Sequence, residues 1–568
     1  MVKAFFSLAL ALTIWGEMTR TRPLEKLPES TLIVATTAEP VSLHPVFGMD
    51  RMAAVEILGA LFQPLTFYDD QQQLIPGLAT EIPTFENGGL RLLPAAEARA
   101  RGGRMESIWH LRPDARWSDG VPVTAEDFIF TYQLIQHPDV PAVSREVENR
   151  IVRMEARHGS RTLVVLWKNP YAFAQEGHLH LVIPRHIEEP VFQGLADKKA
   201  YERTPFNRRP VGNGPYQVEE WAFGRYIILK KQTFWHGAQP FFEQLVYRFL
   251  PEGDTVLANL NTGRIGAVSP LALDPDLVQE YAQHARTLGN EPYDIVSKPG
   301  LAWVHIDFNT ENPTTEEKRV RQALALGLDR KGLSELLFPG QNCATDTWLP
   351  RFHPCCFPPP DQVSPDLPRY PYDPMRADQL LEAAGWHRGP SGYRIKEGQV
   401  FRIKMRYVAG ETLTDRVAQM VKEDWRKRGI DLLLQPEEVK KFSENTAENR
   451  AFQGLSLYPW YLDSSADGIP FWTTSSIPTN EKPTGQNACR WRNARSDQLL
   501  FQVAETLDHN RRRELLWEQQ RIWAEELPAI PLFFQPEISI RHRRLDGWKP
   551  TGTDTPVTWN CAEWRWKK

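Results

Sequence analysis

The chain has 568 residues, 41% apolar and 24% charged, with a formal charge of −4 at pH 7. That length and apolar content allow more than one full hydrophobic core. The mildly acidic balance, without a polybasic run, excludes nucleic acid or an anionic membrane as the main partner.

Residues 4–15 form an apolar run of 12 behind Lys3. A bilayer span needs roughly 20 residues, so the run fits the core of an export signal instead, and 1–29 are read as signal and polar lead-in. No Cys follows it to carry a lipid anchor. The five cysteines, Cys343, Cys355, Cys356, Cys489 and Cys561, are odd in number, so at least one stays outside any internal bridge. Cys343 with Cys355 or Cys356, and Cys489 with Cys561, are pairings that export would permit. His353 beside Cys355-Cys356 matches no zinc spacing.

Residues 31–36 read as a buried strand, His44 as a turn residue, and 52–62 as a helix with Val55, Leu58, Gly59 and Phe62 on one side. Residues 84–107, Gly-rich and then Ala/Arg-rich, are expected to be a surface insertion. In 108–132, Trp109 and Leu111 alternate with polar residues as in a half-buried strand. Gly120 makes a turn, and Thr124 with Asp127 begins a helix through a weak capping box. His178 and His180 are expected to be solvated or structural, because no third His, Cys or carboxylate stands near apart from Glu176. Residues 211–216, VGNGPY, form a tight connection; no Lys-Ser/Thr follows, so a P-loop is excluded. A strand at 302–309 precedes one helix at 316–330 striped by Val320, Ala323, Leu324 and Leu328. The stretch 342–371 has no period and reads as a long loop. Asp373 is an N-cap and Pro374 the first helical residue, with Gly385 the stop. Residues 401–434 read strand, helix, strand, an α/β unit. Helices at 496–507 and 512–526, an apolar strand at 529–536 and a Trp-rich tail at 548–568 complete the chain.

Three blocks carry a family likeness. They are W-x-L-R-x4-W-x-D-G-x-P-x-T-A-x-D from Trp109 to Asp127, F-N followed by R-x-A-L-x-x-G-L-D-R ending at Arg330, and Y-D-P-x-x-A-x-x-L-L-x-x-A-G-W from Tyr372 to Trp386. They resemble the family 5 extracellular solute-binding proteins, the peptide receptors of ABC importers. The resemblance implies an α/β, two-lobed periplasmic binding protein fold of type II, with an extra subdomain and a ligand cleft between the lobes. It divides the chain into 31–55, 206–305 and 531–568 for one lobe, 56–205 for the subdomain, and 306–530 for the other lobe. It implies a monomer without cofactor, periplasmic, with a short peptide as ligand and an inner-membrane ABC permease as partner.

In 457–472, five aromatics surround Asp463 and Asp467, and 451–474 contains no Lys or Arg. Such carboxylates are costly to bury without a partner. Taken alone, the stretch reads as an exposed loop. The family's W-x-x-D pattern falls on Trp460 and Asp463, and implies that Asp463 receives a peptide α-ammonium while Trp460 walls the site. Tyr458, Phe533 and Phe534 are further ligand-binding candidates. A sugar or metal-chelate receptor of the same fold is the nearest rival. A secreted hydrolase is disfavoured, since no G-x-S-x-G, H-E-x-x-H or Cys/His signature occurs.

Overall fold

The structure, a computed structural model, describes residues 29–47, 52–140, 145–176, 181–270, 275–288, 292–350, 353, 367–439, 441–442, 452–462, 467–479 and 485–567. The export signal at 1–15, the His178/His180 pair, Cys355, Cys356 and Asp463 lie outside the described residues.

Two strands of unusual length, Tyr293–Phe308 and Ala529–His542, run antiparallel through the middle of a ten-stranded sheet. On one side follow Gly454–Tyr461, Arg402–Val408 and Asp431–Glu437; on the other Ala267–Val268, Thr31–Thr36, Gln244–Phe249, Tyr226–Lys231 and Tyr216–Ala222. The expected α/β unit is present: Arg402–Val408 lies parallel to Asp431–Glu437 across the helix Thr412–Lys427. A second, four-stranded sheet joins Leu90–Leu92, Met105–His110, Thr162–Trp167 and Ile151–Arg157.

The chain therefore packs as two α/β lobes. One core holds the four-stranded sheet, the helix Met52–Leu61, and Trp548 and Trp564 from the tail. The other lobe centres on the α/β unit and on a Trp-rich cluster that includes Trp303, Trp348, Trp472 and Trp523. The two long strands connect them, and their pairing is interrupted between Lys298 and Ala302. A Cβ on Gly300 would stand 2.3 Å from the Gln535 carbonyl oxygen, so the irregularity needs glycine for close backbone approach.

Local signals act as their chemistry requires. Asp127 accepts from the Thr124 amide at 2.8 Å and from the Arg185 amide at 2.8 Å, holding the start of Ala125–Gln136. Asp373 accepts from the Arg376 amide at 2.9 Å, and Gly385 ends that helical segment at φ +84°. His44 is buried in a turn, its ring nitrogens 3.1 Å from the Val46 amide and 3.3 Å from the Tyr201 hydroxyl. Gly212 lets the glycine-rich connection touch the end of Met52–Leu61: a Cβ there would meet the Leu61 carbonyl at 2.1 Å.

Three expectations change. The helix foreseen at 316–330 is two, Lys318–Leu326 and Arg330–Leu337, because Asp329 caps the second by accepting from the Gly332 amide at 2.9 Å. The stretch 84–107 is partly built into the fold. Leu90–Leu92 pairs with Met105–His110, and Arg91 and Arg101 neutralise the fully buried Glu106. Cys489 and Cys561 are unbridged thiols in different cores, so that pairing does not form. Among the described residues, no helix is long and apolar enough to cross a membrane.

Candidate functional site

A cavity of about 650 Å³ lies between the lobes. Its floor is the irregular crossing, Gly300–Ala302 and Gln535–Glu537. One wall carries Glu56 and Gly59 of the helix Met52–Leu61, then Phe67, Tyr68 and the tail residue Trp559; the other carries Trp460, Tyr461, Leu462 and Phe471. Aromatic rings face in from both sides, with Phe67 and Trp559 centred 5.8 Å apart and Trp460 edge-on to Phe471 at 4.8 Å. Such rings offer apolar area at low conformational cost.

The wall strand Gly454–Tyr461 pairs along its whole used length with Tyr293–Phe308. Its other edge pairs with Arg402–Val408 only from Gly454 to Ser456. Among the described residues, no strand covers that edge from 457 to 461, and of these Trp460 and Tyr461 line the cavity. A free strand edge offers main-chain donors and acceptors to an extended ligand.

The ionisable lining is one-sided. Glu56, Glu146, Glu148, Glu176, Asp467, Glu537 and Asp554 line the cavity, and no Lys, Arg or His does so among the described residues. Asp467 accepts from the Ile469 amide at 2.9 Å and pairs at 3.3 Å with Arg150, which also holds Glu146 at 2.9 Å. The missing local partner of Asp467 is thus supplied from the opposite lobe. Glu56 is 3% exposed, and its Oε1 has no hydrogen-bond partner. Burial raises the Glu56 carboxyl to about 8, against a Ser269 hydrogen bond that lowers it and with the charge of Glu537 adding to the rise. Enclosure raises Glu537 to about 7, although the Gly552 amide donates to it at 2.7 Å and Lys298 is nearby.

Of the five residues expected at the site, Trp460 lines the cavity. Tyr458 is buried beneath it, donating its hydroxyl to Asp307 Oδ2 at 2.6 Å. Asp307 also receives the Cys489 thiol at 3.0 Å and lies 3.3 Å from His305, whose ring stacks 3.9 Å over Trp303. These groups and Trp460 enclose a void of about 20 Å³, the size of one water. Burial and the Asp307 charge push the Tyr458 hydroxyl and the Cys489 thiol well up, keeping both neutral donors. Phe533 and Phe534 need correction. Phe533 has no exposed surface and packs on Phe338 at 5.5 Å; Phe534 is buried in the Trp-rich cluster. Their strand is central in the sheet, so both of its faces are covered there, and it reaches the cavity only from Gln535 onward.

Glu56 and Glu537 escaped the sequence reading. Glu56 had a legible signal, being the single charged residue in the apolar helix MAAVEILGAL. Glu537 had none, since its setting depends on a long-range crossing.

The model of bacterial extracellular solute-binding proteins, family 5 (middle), matches residues 74–481. The oligopeptide-binding protein AppA of Bacillus subtilis is 25% identical over 525 residues, covering 91% of this chain and 88% of the relative. The nickel-binding periplasmic protein of Escherichia coli is 26% identical over 536 residues, covering 92% and 93%. Among solved structures, the oligopeptide-binding protein from Thermus thermophilus complexed with a pentapeptide superposes with a TM-score of 0.78 at 27% identity, over 95% of this chain and 98% of that one.

Proposed function

The chain belongs to the family 5 bacterial extracellular solute-binding proteins, and from that premise we propose that it binds short peptides in the interlobe cleft and delivers them to an ABC permease. The observation that carries this is the cleft itself: a cavity of about 650 Å³ with aromatic walls and an uncovered strand edge that meets it at Trp460 and Tyr461. An extended peptide adds its backbone to such an edge while the rings accept side chains, which gives affinity with broad sequence tolerance. The likeness to oligopeptide-binding relatives supports the same ligand class.

In this reading the protein is an exported monomer of the periplasm, and it returns its ligand chemically unchanged. One lobe comprises 31–55, 206–305 and 531–568, with 56–205 as its subdomain, and 306–530 forms the other. Trp460 walls the cleft, and Asp463, three residues beyond it, receives the peptide's α-ammonium by a charge-assisted hydrogen bond. An oligosaccharide or a metal chelate is the alternative cargo, the latter supported by the 26% identity to the nickel-binding periplasmic protein of Escherichia coli.

Asp463→Asn tests this directly. The substitution weakens binding of a free-amine peptide by on the order of 2 kcal/mol, about thirtyfold, and leaves the N-acetylated peptide unaffected, both measured by titration calorimetry. Equal affinities of parent and variant for both peptides would sink the assignment of Asp463.

A further inference from the structure

Behind Trp460, within the second lobe, lies the small chamber of about 20 Å³. Trp460, Leu462, Phe471 and Gln486 line both it and the cleft, so the two share a wall. Part of the chamber is one face of a strand pair. Trp303, His305 and Asp307 alternate along Tyr293–Phe308 and stand opposite Trp460, Tyr458 and Ser456 of Gly454–Tyr461. Period-two spacing puts all six on one side of the sheet. Asp307 accepts from Tyr458 at 2.6 Å and from Cys489 at 3.0 Å, and the Trp348 indole donates to Gln519 at 3.3 Å. Two donors of the chamber wall are left over. Nε1 of Trp303 and Nε1 of Trp472 are buried without a hydrogen-bond partner, and both indoles line the chamber. These residues are 2% and 3% exposed, with ring centres 5.9 Å apart. A buried donor left unpaired carries its full desolvation penalty.

We infer that this chamber is a binding site for one hydroxylic oxygen, supplied by a Ser or Thr side chain of the ligand entering past Trp460 and Phe471, or by a water in its place. The count of donors and acceptors selects that chemistry. A hydroxylic oxygen accepts from two N–H groups and still donates a proton of its own. That matches two indole donors and the Asp307 carboxylate, all on the chamber wall. A carboxylate offers about four acceptor sites, and three groups face this one: Tyr458, Cys489 and, at 3.3 Å, His305. Other groups fit worse. An ammonium has no lone pair for the indoles, and a methyl group answers none of the three. A carboxylate oxygen meets Asp307 with like charge. The volume admits one oxygen and excludes a ring. With a ligand hydroxyl as occupant, Trp303, Trp472 and Asp307 determine specificity, and this form rests on the peptide reading above. With water as occupant they brace the wall behind Trp460, and this form stands without that reading.

The test uses the full chain, freed of ligand by unfolding and refolding. It is titrated with tetra-alanine and its single-serine versions, and crystallised without ligand and with tetra-alanine. For a ligand hydroxyl, serine at one position binds about tenfold tighter than alanine, and Trp303→Phe and Trp472→Phe each bring that ratio down to about threefold or less. For water, no serine position gains. The crystals then show an oxygen within hydrogen-bond distance of Trp303 Nε1, Trp472 Nε1 and Asp307, lost when both tryptophans are phenylalanine. Either result supports the site. A serine gain that both variants keep would overturn it, and so would a dry chamber in protein that gains from no serine. If none of the peptides binds, the peptide reading alone fails, and the ligand-free crystal still decides the site: a bridging oxygen supports it, a dry chamber overturns it.

Discussion

Glu56 concentrates the chemistry of the cleft in one side chain. Its carboxyl titrates near 8 in the folded chain, raised by burial from its ordinary 4.5. Below the unfolded value both states hold the proton. As pH rises toward 8 the folded state keeps a proton that the unfolded state has released, so this group's contribution to stability falls. The ligand-free protein is therefore expected to lose melting temperature between about pH 6 and 8, on the order of 2 °C or more, and Glu56→Gln flattens that slope; a pH series of thermal melts checks it. At this scale the sequence was only partly informative. Trp460 is placed by a motif, whereas Glu56 escaped, although a lone charge in an apolar helix is a local signal. The pairing of Asp467 with Arg150 and the shared cavity of Glu56 and Glu537 join residues hundreds of positions apart, and no local pattern encodes them.

Elements were legible where their signals are local. Thr124 with Asp127, Asp373 with Pro374, and the helix read between the two strands of 401–434 all correspond to observed helices. The errors share one cause: a short motif has two structural uses. Asp329 reads as a helix end and acts as the cap of the next helix. Phe533-Phe534 reads as a cleft segment, but alternation cannot tell a central strand from one that borders a cavity. Strand order and the pairing of 293–308 with 529–542 came from no sequence pattern. Two substitutions separate these local devices from tertiary ones. Asp373→Ala removes a helix cap and is expected to cost about 1 kcal/mol in denaturant unfolding. Gly212→Ala drives a Cβ into the Leu61 carbonyl and is expected to cost more, about 1–3 kcal/mol, with a loss of ligand affinity because the helix it displaces carries Glu56.

Contacts that cross the cleft describe a shut molecule. Arg150 meets Asp467, the Ala172 amide donates to the Ala504 carbonyl at 2.8 Å, Asn169 donates to Glu505 at 2.8 Å, and Arg512 lies 5.3 Å over Phe173. Ligand contacts that exist only when the lobes meet bias the population toward that state. Arg150→Met removes one latch and uncovers Asp467, so the ligand-free variant is expected to sample open forms more, seen as a larger radius of gyration in solution scattering that peptide reverses. Undiminished compactness in the ligand-free variant would show that Arg150 does not hold the lobes together.

The most direct measurement is mass spectrometry of the molecules released by denaturing protein purified from its native source at low ionic strength. The account predicts short peptides in near-stoichiometric amount. Stoichiometric release of a saccharide or an anionic metal chelate would contradict it.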